Sequence, residues 1–144
     1  MGADQLFQIS STLAMIAWLL LVIFHKTLWI SKLLIGTILT ALSLLYFYLI
    51  VKNFGGLQPD SFSTLDGVAT LFTNREALLA GWVHYLAFDL LTGIFIVTNG
   101  RKNGMGIGWL LPCLLCCFML GPVGLLLYLL LRWIYTKNYW VDVE

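Results

Sequence analysis

The chain has 144 residues, 60% of them hydrophobic and only 10% charged, with a net charge of +1 and a mean hydropathy of +0.92. Soluble domains carry about 25% charged residues, so most of this surface must face something other than water. The eight basic residues are scattered and form no stripe along which phosphates could run, which excludes nucleic acid as a partner.

In chain order, the first apolar stretch is Leu6 to Phe24, uncharged throughout. At about 1.5 Å per residue it nearly crosses a hydrocarbon core of about 30 Å. No basic segment precedes it and no small-residue cleavage site follows, so it reads as a retained helix, not a signal peptide. Leu6 stands where a myristoylation signal needs Ser or Thr. With no organelle transit peptide visible, a bacterial inner membrane is the expected home. The short turn "HKTLWISK" leads to a second uncharged run between Lys32 and Lys52. In the longer connection that follows, "FGGLQPD" reads as loop and "STLDGVATLF" as a short interfacial helix. Its Leu65, Val68, Leu71 and Phe72 share one face behind a Ser63 or Thr64 cap.

A third span is expected over about 76–98, begun by Asn74 as N-cap with Glu76 in the first turn, where a carboxylate suits the helix dipole. After the basic turn "NGRKNGMGIG", a fourth runs over about 108–135. Apolar segments in lipid must satisfy every backbone polar group internally, which makes them helices. The fold class is therefore an all-α integral membrane protein. A four-transmembrane-helix bundle is expected, with a short interfacial helix in the second connection. It forms one transmembrane domain over 1–144, with spans near 6–24, 33–51, 76–98 and 108–135 and both termini on one side. Trp29, Tyr46, Tyr48, Trp109, Trp133 and Tyr135 fit interfacial belts. The two short turns hold four basic residues and the opposite side holds four, so charge leaves the orientation open.

Ionisable groups inside the spans are few and expensive. His84 and Asp89 lie deep in the third, and an ionised Asp at mid-membrane costs about 2.5–3.5 kcal/mol on insertion scales. Such residues face a partner, a water pocket or a substrate. At 100° per residue, five positions separate the two by about 140° and about 7.5 Å, so they face different neighbours and make no direct pair. A level count for an antiparallel hairpin of spans three and four puts Cys116 and Cys117 beside Asp89 and Gly121-Pro122 beside His84. Ser11, Thr12, Ser43, Tyr46 and Tyr48 come to the His84 level. Pro122 takes away one helical hydrogen bond and frees the Phe118 carbonyl, so the fourth span should bend there and open a groove. Cys113, Cys116 and Cys117 lie at helical spacing and lack the turn and further ligands of a zinc site, so they read as packing residues and no metal is expected.

The runs "GWVHYLAFDLLTG" and "LPCLLCCFMLGPVGLLLYLLLR" resemble the family of the plant ABA-deficient-four protein and its bacterial relatives. The resemblance spans the four-span layout and is strongest from about Leu65 to Arg132. Trp82, His84, Ala87, Asp89, Leu90, Pro122 and Gly124 stand on the family's motif positions. Ile94 departs from it, standing where the common bacterial pattern has arginine, as does His25-Lys26 in place of a proline and a basic residue. The plant member is needed to make neoxanthin from violaxanthin, so the resemblance implies carotenoid or isoprenoid metabolism. Opening an epoxide to an allenic alcohol needs an acid and a base and no cofactor. His84 and Asp89 are the catalytic candidates for such an isomerase. Trp82, Tyr46, Tyr48, Pro122, Gly121 and Gly124 are the ligand-binding candidates. The alternative is a non-catalytic carotenoid or lipid binder, or an accessory subunit; a small transporter is a third reading. Expected partners are membrane lipid, a hydrophobic isoprenoid or carotenoid, and either a second copy or a carotenoid enzyme.

Overall fold

The computed structural model describes residues 2–53 and 62–141, all in helices and short turns. The loop expected at "FGGLQPD" lies outside the described residues. Helix α1 covers Ala3–Ile23 and α2 covers Leu28–Asn53, the latter widened into a π turn at Ile35–Leu39. There the Ile35 carbonyl accepts the Thr40 backbone N–H five residues on, the bond of a wide turn, and the Thr40 hydroxyl donates to the same oxygen (2.7 Å). Helix α3 is Leu65–Leu71, capped by the Thr64 hydroxyl accepting from the Gly67 amide. Helix α4 is Arg75–Lys102, and Asn74 caps it by accepting from the Glu76 and Ala77 amides. Helices α5 (Ile107–Leu120) and α6 (Pro122–Thr136) complete the chain.

Three of these helices, α1, α2 and α4, are long and apolar enough to cross a membrane, and the protein is a membrane protein. Helix α4 is the central post. It runs parallel to α1: Asp4 pairs with Arg75 at one end, and Arg101 donates to the His25 and Thr27 carbonyls at the other. Helix α2 returns antiparallel, with Lys52 bound to Glu76 at 2.8 Å. The packing between the posts is close: a Cβ at Gly93 would run into the indole of Trp18 on α1.

The fourth span is not a through-helix. Trp109 and Tyr135 would stand about 39 Å apart on one straight helix, yet their rings are 5.9 Å apart. The chain reverses at Gly121, where φ is +39°, a backbone region that favours glycine. Pro122 then opens α6 with no N–H to donate. The reversal therefore goes well beyond a bend. Gly124 lies so tightly on the backbone of Cys117 that a side chain there would collide, which lets the two helices lie antiparallel and close. Each is only about 21–23 Å long, too short for a core of about 30 Å. The pair is a hairpin that enters the bundle beside the C-terminal half of α4 and turns back halfway. The described ends consequently lie at opposite ends of α4, where a fourth span would have put them together.

Candidate functional site

The hairpin tip meets α4 at its midpoint. Leu110 lies over Gly100, Cys117 Sγ reaches the Asp89 carbonyl (3.6 Å), and Tyr85 donates to the Met119 carbonyl (2.9 Å). Asp89 is 7% exposed, and its carboxylate lies against Gly121 so closely that no Cβ would fit there. Its Oδ2 is buried without a hydrogen-bond partner. Asp89 is about 21 Å from the start of α4, near the middle of any membrane that this helix crosses. Tyr85, one turn before it on the same face, holds its hydroxyl within electrostatic reach of the carboxyl.

The hairpin covers only the far half of α4 and leaves the near half open on that side. An open cavity of about 650 Å³ lies here, walled by Phe7 of α1, Phe72, and Leu78, Trp82 and Tyr85 of α4. Met119 floors it at the hairpin tip, and the Asp4–Arg75 pair stands at its outer end. The Trp82 indole N–H donates to the Ser11 hydroxyl (3.0 Å), and its ring lies between Phe7 and Tyr85. The Phe72 ring rests on Gly81, which has no side chain to keep it away.

The sequence-derived candidates separate. His84 is exposed on the outer side of α4, with its ring between Tyr46 of α2 (5.6 Å) and Phe88 (4.6 Å). It does not line an interior pocket. The 140° offset from Asp89 turns it towards α2 while Asp89 faces the hairpin, so they look at different neighbours and make no pair. Gly121 meets Asp89, not His84, because the hairpin packs on the Asp89 side of α4 and His84 points about 140° away; Cys117 does reach Asp89. Trp82 lines the cavity, as does Tyr85, which follows from the same helical arithmetic. Tyr46 touches His84, Tyr48 is exposed on the outer face of α2, and Gly124 is spent on the contact between the hairpin arms. Pro122 is exposed. Cys113 and Cys117 are buried packing residues, and among the described residues no three His, Cys, Asp or Glu side chains converge as a metal site would require.

A second buried polar cluster lies at the hairpin base. The Asn99 amide oxygen accepts from the Tyr128 hydroxyl (2.6 Å) and from Arg132 Nε (3.1 Å). The same guanidinium donates to the Asn138 and Trp140 carbonyls, and Arg132 is only 3% exposed. In sequence Arg132 reads as a charge at a span end, and nothing there signals its burial.

The family model described as ABA DEFICIENT 4-like matches residues 5–128. That range holds α1 from Gln5 through α5, most of the cavity lining, Asp89 and the hairpin tip. No curated protein and no solved structure gives a match.

Proposed function

The chain belongs to the ABA DEFICIENT 4-like family, and from that premise we propose that it takes a long isoprenoid of the carotenoid type into the open cavity and isomerises it without a cofactor. The observation that carries this reading is the cavity itself. It is open to the outside, is walled mostly by apolar and aromatic side chains that suit an isoprenoid, and has one phenolic side chain, Tyr85, in its lining. We place the protein in a bacterial inner membrane, with the hairpin as a re-entrant element and α3 lying at the interface.

Tyr85 replaces His84 as the proton-handling partner of the site. In an epoxide-to-allenic-alcohol reaction its hydroxyl protonates the epoxide oxygen as the C–O bond breaks. The resulting phenolate takes a proton from the neighbouring carbon as the new double bond forms, so that Tyr85 ends as it began and no oxidant is consumed. Asp89, one turn away, acts on Tyr85 as a positioning residue.

The test is expression in a carotenoid-producing bacterial host, with pigment extraction and chromatography. New isomers that vanish in Tyr85→Phe support the isomerase, since losing one acid–base group costs about 10²–10⁴-fold. The second reading is a non-catalytic binder or accessory subunit. It is favoured by the hydrogen bonds that already engage Tyr85 with Met119 and Trp82 with Ser11. Unchanged pigment that co-purifies with the protein supports that reading. Neither product nor co-purifying pigment would refute both.

A further inference from the structure

We infer that Asp89 and the hairpin tip form a binding site for one small monovalent cation of sodium type. Four observations converge. Asp89 is more than nine-tenths buried at the midpoint of α4, and its Oδ2 is buried with no hydrogen-bond donor. It touches Gly121, the residue between the two arms, so it faces the broken end of α5 and not the side of a continuous helix. Not every carbonyl at that end is taken: Gly121 N–H satisfies Cys117 and the Gly124 and Leu125 amides turn back to Gly121, but Pro122 has no N–H to give Phe118. Met119's carbonyl, which takes no backbone donor across the break, receives the Tyr85 hydroxyl, bringing a further oxygen beside the carboxyl.

A carboxylate with the carbonyls of a half-helix C-terminus is the chemistry by which broken membrane helices hold sodium. The charge count selects a monovalent ion. One carboxylate neutralises one positive charge, whereas a divalent ion would leave a net charge buried in a low-dielectric interior. The carboxyl also stands beside the N-terminus of α6, whose dipole favours an anion. The consequence of the site rests on the function proposed above: with its charge balanced, Asp89 does not oppose the negative charge that develops on the Tyr85 oxygen.

The experiment melts the full chain in detergent, with no pigment present, in sodium, potassium or choline chloride at matched ionic strength. Binding to the folded state alone should raise the melting temperature saturably by several degrees in sodium over choline. Asp4→Asn, which removes an exposed carboxylate, should keep this response, and Asp89→Asn should lose it. Should Asp89→Asn fail to fold, Asp89→Glu keeps the charge but moves it, and should shift the half-saturating sodium concentration at least about threefold. Equal melting of the wild type in sodium and choline overturns the site, as does a sodium response that either Asp89 variant leaves unchanged. Because the melt contains no pigment, this result stands apart from the pigment assay.

Discussion

At the scale of single residues, Gly121 carries two constraints at once: a positive φ and contact with the Asp89 carboxylate. Gly121→Ala should therefore destabilise the protein by about 1–3 kcal/mol, the range for a strained backbone residue. Gly104 also has positive φ, +71°, but open space around it, so Gly104→Ala should cost only the conformational part, about 1 kcal/mol. Chemical denaturation of both in one detergent measures the difference, and equal losses would remove the Asp89 contact from the account. His84 belongs to another surface. On the outer side of α4, between Tyr46 and Phe88, its replacement by Ala should leave pigment retention in the open cavity within about twofold, a change below 0.5 kcal/mol. Retention lost in a folded His84→Ala protein would put the ligand against α2 instead. The depth and divergence of His84 and Asp89 are legible in the sequence, because helical angles are local. Which of the two is covered is not, since that depends on which side of α4 the hairpin packs.

At the scale of elements, the hairpin is held at its tip by close packing and at its base by the buried Asn99–Tyr128–Arg132 cluster. Asn99→Leu would leave the Arg132 side chain without its amide acceptor inside the bundle. Losing a hydrogen bond to a buried charged group costs about 1.5–3 kcal/mol, whereas replacing both partners with apolar residues costs less. The double variant Asn99→Leu/Arg132→Leu should therefore be more stable than Asn99→Leu alone, as read from paired denaturation curves. A strictly additive loss would show that the guanidinium is anchored by the Asn138 and Trp140 carbonyls instead. The hairpin also sets the topology. Reporter fusions at the N-terminus and after Val141 should report opposite faces of the membrane, and reporters on one face would restore a fourth full span.

At the scale of the whole molecule, the short hairpin and the open cavity are one fact: because α5 and α6 stop halfway, the near half of α4 lacks a neighbour on that side. Phe72 covers part of the opening only because Gly81 leaves it room. Gly81→Leu should displace that ring, narrow the cavity and reduce pigment retention several-fold while the helices still assemble. Undiminished retention would place the ligand elsewhere. The amino-acid sequence by itself determined the helical class, the apolar character of α1, α2 and α4, the Asn74 cap, a departure from straight helix near Pro122 and the family. Each of these follows from composition, from contacts within a few residues, or from a motif along the chain. Only the tertiary structure decided that the break is a full reversal, that Arg132 is buried, and that Tyr85 rather than His84 lines the cavity and neighbours Asp89. A glycine followed by a proline permits both a bend and a turn. What selects the turn is packing between residues distant in sequence, Gly124 on Cys117 and Trp109 on Tyr135, and no local pattern encodes contacts of that kind.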